Sequence, residues 1–201
     1  MLPITNIYTV VNLGFNFAYF GTDYSTVSIS TNGYVCLGVN MKCDMRTRPS
    51  PYDVLVGLNS DLNPTRKGSG QIYFKNLCSN DFYIGQSYSN LLDPTFSPTN
   101  IFMITYDNVL PFDRNGVLNS KVSFQMFLLT DCIKSFVILK YNLCPADLTL
   151  WASSGLNYNN KGKLEELLID KERACLSSNV NQMGVWATQV TNNSYGMLSI
   201  I

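Results

Sequence analysis

The chain reads as mainly β, an antiparallel β-sandwich of about ten strands with one or two short helices. Three observations predict this. Apolar and polar residues alternate at period two, as in Val27, Ile29 and Thr31 against Thr26, Ser28 and Ser30. Turn residues such as Asn32-Gly33, Asn63-Pro64 and Asp93-Pro94 separate the strand-like runs. Apolar residues make up 46% of 201, enough for a full core, and no linker-like run divides the chain, so residues 1–201 form one domain.

In order, Ile7 to Val11 is a first strand, and Phe15, Phe17 and Tyr19 share one side of the next extended segment. Tyr24 to Gly38 is a hairpin turning at Asn32-Gly33, where Asn-Gly is expected to supply two positive-φ residues. Residues 40–53 form a loop, since Pro49 and Pro51 do not suit a central strand. Val54 to Leu58 and Gln71 to Lys75 are strands joined through a Gly68/Gly70 turn. Ser79-Asn80-Asp81 can cap a helix over about 80–92. Gly85 weakens that helix, and a strand over Phe82 to Ile84 competes. Ile101 to Val109, Lys121 to Thr130 and Ser135 to Tyr141 form a meander. Residues 143–162 read as irregular around Trp151. Residues 162–175 read as a helix, with Leu164, Leu167, Leu168 and Cys175 close to one face. Met183 to Val190 and Tyr195 to Ile201 return to strand patterning.

Charged residues are 14% of the chain, against about 25% in an ordinary domain, and the formal net charge is zero. With 22 Asn and many Ser and Thr, such a surface has little electrostatic repulsion between copies. Lys and Arg are scattered, which argues against nucleic acid. No apolar run reaches the roughly 20 residues of a membrane span. The first ten residues lack a basic segment and a cleavage site, so no leader is read there, and if the protein is secreted the chain is expected to be a mature or excised one.

Six cysteines stand at 36, 43, 78, 132, 144 and 175, and there is no His. No C-x-x-C spacing suits zinc, so three disulfides in an oxidising compartment are expected. Cys36 with Cys43 is the favoured local pair. Cys132 and Cys144 flank an extended run spanning about 30 Å, well beyond bridging distance, so they are not expected to pair. Cys78, Cys132, Cys144 and Cys175 would then make two long-range bridges of open connectivity.

In sequence order, these landmarks resemble the NIDO (nidogen-like) domain of extracellular matrix and adhesion proteins over about residues 13–190. Ser30-Thr31-Asn32-Gly33-Tyr34 is similar to the family's S-T-N-G-Y/F hairpin. Asp61-Leu62-Asn63 followed by Ile72-Tyr73-Phe74 is similar to its D-x-D then V-Y-Y stretch. Phe96-Ser97-Pro98-Thr99, then Ile104 to Val109, resembles its V-T-W-D-N-V strand. Ser123 to Asp131 and Ser135 to Tyr141 resemble its F-Q-L-V-L-A-T-D and S-F-V-I-F-N-Y pair. Leu58-Asn59 replaces an aromatic, Asn63 the second acid and Tyr106 the tryptophan. No epidermal-growth-factor, von Willebrand or mucin module flanks these pieces. The resemblance implies a secreted, extracellular, non-enzymatic domain.

Without His there is no Ser-His-Asp or Cys-His arrangement, and no phosphate-binding Gly loop appears. Asp61, Asp107, Asp113 and Asp131 sit at strand ends or turns, where Asp caps backbone N–H groups. Asp61, Asn63 and Asp107 are weak Ca²⁺ candidates against that capping role. Asn192-Asn193-Ser194 is an N-glycan acceptor at Asn192.

Two functions follow. The first is a structural subunit that associates with itself into a filament, coat or matrix. It would use terminal strands at 4–11 and 195–201, with Ile4, Ile7, Tyr8, Val10, Leu198, Ile200 and Ile201 at the interface. The second is a heterophilic adhesion or glycan- and matrix-binding module, with or without Ca²⁺, using loops 40–53 and 143–160.

Overall fold

The computed structural model describes residues 2–3, 8–39, 52–78, 81, 83–91, 93–112, 119–145, 153–160, 163–169 and 173–191. They form two antiparallel sheets of six strands each. One has the order β1-β6-β7-β8-β9-β12: Leu2–Pro3, Gln71–Asn76, Asn100–Val109, Val122–Thr130, Ser135–Leu143 and Val185–Gln189. The other has the order β11-β10-β5-β4-β3-β2: Lys163–Ile169, Ser153–Asn160, Val54–Asn59, Tyr34–Leu37, Thr22–Ser30 and Tyr8–Tyr19. The first is called sheet A below, the second sheet B. Each is largely a meander, because sequential antiparallel strands need only short turns.

The core lies between the sheets. Tyr106 stacks on Phe124 with centroids 4.3 Å apart, and both are buried. A Cβ at Gly57 would meet the Phe124 ring at 2.3 Å, so glycine there is what lets this ring reach sheet B. Burying such a ring contributes about 2–3 kcal/mol. The Tyr141 hydroxyl donates to Gly57 O at 2.6 Å, joining the sheets through a polar contact.

A second apolar cluster covers the other face of sheet A, with Ile101, Phe127, Leu129, Phe136 and Ile138 among its members. Helix α1, Tyr83–Ser89, packs there and lies within the span expected for a helix. Gly85, which weakens the local helical signal, has a packing reason. A Cβ on it would lie 2.6 Å from Leu129 Cδ2 and 2.9 Å from Ile101 Cδ1. Burial on both faces explains why β7 to β9 read as nearly unbroken apolar runs.

Three expectations are corrected. Residues 8–19 form one strand rather than two segments, its register with β3 shifting between Asn12 and Phe17. Gly14 (φ +78°) sits in that bulge, and Asn76 Nδ2 of sheet A donates to Leu13 O there at 3.1 Å. The stretch read as irregular contains β10, which pairs with β5 through Leu156↔Leu55. The helix expected over 162–175 is strand β11 over Lys163–Ile169, paired with β10 from Asn160↔Lys163 to Ser154↔Ile169. A leucine pattern of i, i+3, i+4 over so short a segment does not sustain a helix alone. The open edge of β10 offers a full ladder, and only Lys161 and Gly162 separate the paired ends. Cys175 lies beyond the strand, in a turn.

Candidate functional site

Ser30-Thr31-Asn32-Gly33-Tyr34 is the tip of the β3–β4 hairpin, and its polar groups are spent on the fold. Ile29 pairs with Val35, which leaves a loop centred on Asn32 rather than a two-residue Asn-Gly turn. Only Gly33 takes a positive φ, +86°. Its carbonyl accepts from Gly57 N and Leu58 N, both at 3.0 Å, and a Cβ would fall 2.0 Å from Leu58 O. Asn32 Oδ1 accepts from Leu62 N at 3.3 Å, and Asn32 O accepts from Ser60 N at 3.1 Å. Tyr106 donates its hydroxyl to Ser30 O. Burial pushes the Tyr106 and Tyr141 phenols far above the usual tyrosine range, so both act as neutral donors. The motif locks the tip of sheet B to the loop after β5.

Of the calcium candidates, Asn63 and Asp107 make local side-chain contacts, and Asp61 is held through its backbone carbonyl. Asn63 Oδ1 accepts from Thr65 N at 3.0 Å and Thr65 Oγ1 at 2.7 Å, an Asx turn. Asp107 Oδ1 accepts from Asn108 Nδ2 at 2.7 Å, and Asp61 O accepts from Phe112 N at 2.6 Å. Among the described residues no three His, Cys, Asp or Glu side chains gather as a metal site would require. Asp131 Oδ1 caps Ile133 N at 2.9 Å and Lys134 N at 2.6 Å. Asp113 lies outside the described residues.

Of the interface candidates, Tyr8 and Val10 fall within the described residues; Ile4, Ile7, Leu198, Ile200 and Ile201 lie outside them, as does Asn192. Both sit on β2, the last strand of sheet B, which among the named strands pairs only with β3. The Tyr8 hydroxyl is 2.7 Å from that of Tyr34, with the rings edge to face. Tyr8 thereby helps cover the outer cluster of Tyr34, Cys36, Val54 and Val56. Val10 is 41% exposed. Loop residues 40–51 lie outside the described residues.

Cys144 and Cys175 form a disulfide with a Cα separation of 6.1 Å, tying the end of β9 to the turn that leads into β12. Closing 31 residues in this way contributes about 3–4 kcal/mol on the chain-entropy estimate. Trp186 Nε1 donates to Ala174 O at 2.9 Å beside it. Cys36 is disulfide-bonded as well, and Cys43, its favoured partner, lies outside the described residues. The expected second long-range bridge is absent, for Cys78 and Cys132 are both free and exposed. They flank the start of β7 on its two sides, so a strand stands between them. No sequence signal separates these two cysteines from the bonded ones; only the strand order does.

A family model described as NIDO related matches residues 5–76. The match runs from β2 through β6 and takes in the Asn32-Gly33 tip, so this part of the chain is similar to NIDO-related domains. No curated protein and no solved structure matched the chain.

Proposed function

We propose that the chain is a non-enzymatic, secreted structural protein. It is a subunit that associates with itself into a filament, coat or matrix by adding a neighbour's strand to the edge of sheet B. The observation that carries this is the part of edge strand β2 ahead of its bulge, residues 8–12, which pairs in regular register with β3 and carries Val10, 41% exposed. A long edge strand with an outward aliphatic side chain is a template for another chain unless something blunts it. The NIDO-related match supports an extracellular-matrix module. The disulfides support an oxidising compartment. Zero net charge leaves no long-range repulsion between copies.

Light scattering and negative-stain imaging of the full chain, with and without EDTA, test the reading. Regular assemblies that persist in EDTA and disperse in Val10→Lys are expected, because an edge lysine blocks strand addition. Assemblies that Val10→Lys leaves intact, or a monomer of 22.5 kDa in both conditions, would sink it. Assembly that needs Ca²⁺ would favour the adhesion-module reading.

A further inference from the structure

We infer that Cys78 and Cys132 are the covalent contact between two copies of this chain, each Cys78 bridging to the other copy's Cys132 about a two-fold axis. The inference rests on the proposed self-association for its partner, but not on strand addition.

The strand ladder brings the two thiols to one end of sheet A. Cys78 lies two residues past the end of β6, and Leu77 N still donates to Ile101 O at 2.9 Å. Continuing that register sets Cys78 beside Asn100, the first residue of β7. Cys132 lies two residues past the end of β8, on the far side of β7, with its Sγ 3.8 Å from Thr99 Oγ1. Two strand spacings separate their tracks by about 10 Å. A disulfide needs Cα atoms within about 7 Å, so the pair does not close within the chain without moving a strand. Both thiols are exposed. Cys36, Cys144 and Cys175 are oxidised, so the compartment that matures this chain also offers disulfide exchange to these two.

The turn that carries Cys132 presents a fixed surface with an exposed aliphatic side chain. Thr130 Oγ1 accepts from Cys132 N at 3.0 Å, and Asp131 Oδ1 takes the next two amides. Cys132 is held at φ +73°. Beside it Ile133 is 77% exposed. Lys134 Nζ binds Asp93 Oδ2 at 2.5 Å. That ion pair neutralises both charges and ties in the segment bearing Leu91, itself 54% exposed. Two unlike thiols on one surface, too far apart to meet each other, are self-complementary across a two-fold axis, where position i faces j and j faces i. Each bridge forms one S–S bond from two thiols. A low-molecular-weight disulfide accepts the two electrons and two protons and leaves as two thiols.

The test uses the full chain matured in a glutathione redox buffer, with isotopically light and heavy preparations mixed before oxidation. Non-reducing gels should show a dimer of twice the 22.5 kDa chain mass that dithiothreitol abolishes. Peptide mapping should show Cys78–Cys132 bridges joining light to heavy chains. Cys78→Ser, Cys132→Ser and the double variant should each lose that bridge, with near-UV circular dichroism confirming an unchanged fold. A Cys78–Cys132 bridge found only within single chains would overturn the inference. So would like-to-like bridges, or monomers with free or glutathionylated thiols. Light scattering of the double variant reports on strand addition separately. Assembly without the covalent dimer fails this inference alone, and the dimer without further assembly fails strand addition alone.

Discussion

Two hairpin tips in this molecule obey opposite rules. The β3–β4 tip is packed into the sandwich. Gly33 holds the left-handed backbone that glycine suits, and the Leu58 carbonyl occupies the space a side chain would need. The β8–β9 tip stands in solvent, and there a cysteine, Cys132, takes the left-handed conformation at φ +73°. Its two-residue loop, closed by Asp131 N to Lys134 O at 3.2 Å, would ordinarily place glycine at that position. Residues that make a recognisable motif are therefore engaged in architecture. At the second tip the motif residues Thr130 and Asp131 hold the turn, and the cysteine they hold faces solvent. Strain at the second tip, about 1–2 kcal/mol, persists because the Thr130 and Asp131 side chains saturate the turn amides.

Gly33→Ala should have the largest effect at the first tip. The added carbon would meet a backbone carbonyl that has no room to give, so a loss of at least about 3 kcal/mol is expected in urea denaturation. A loss under about 1 kcal/mol would show that the first tip is not locked. Asn32→Ala comes next. It leaves Leu62 N without its side-chain acceptor, and about 1–2 kcal/mol should be lost. Cys132→Gly should run the other way. Relief of the left-handed strain exceeds the entropy that glycine adds to the unfolded chain, for a net gain of about 0.5–1 kcal/mol. A destabilised Cys132→Gly would mean that the second tip, like the first, depends on its side chain.

The smallest effect tests what fixes the second tip to its surroundings. The Lys134 ammonium, together with the Thr95 hydroxyl and amide, holds the Asp93 carboxyl down at about 2, from an ordinary 3.8. A carboxyl lowered in the folded state stabilises it above the unfolded value, and that contribution disappears as pH falls through the folded value. Wild-type stability should therefore drop between about pH 4 and pH 2 more steeply than that of Asp93→Asn. Equal acid slopes in the two proteins would show that the ion pair does not anchor the turn. The pair is partly exposed, so salt should flatten the difference.

Much of the molecule was legible from local pattern. Alternation placed β3 and β4, and the apolar runs of β7, β8 and β9 placed the middle of sheet A. The Asn32-Gly33 motif marked a real tip, although Asn32 serves through its side chain and not through a positive φ. Where the pattern failed, a partner distant in sequence made the choice. Residues 163–169 carry leucines at helical spacing yet pair with β10, because an open strand edge supplies a whole ladder of backbone partners. Gly85 looked like a flaw in α1 and is the point where α1 touches sheet A.

Composition and period-two alternation by themselves determined the class of this protein, a low-charge, disulfide-bearing β-sandwich. Burying one face of a strand demands that pattern in the sequence. Cysteine content likewise determined that there would be bridges. Only the tertiary structure decided which cysteines bond, which strand forms the long edge, and which thiols remain at the end of sheet A. Those outcomes depend on the order in which strands lie side by side, and local sequence does not encode distance across a sheet.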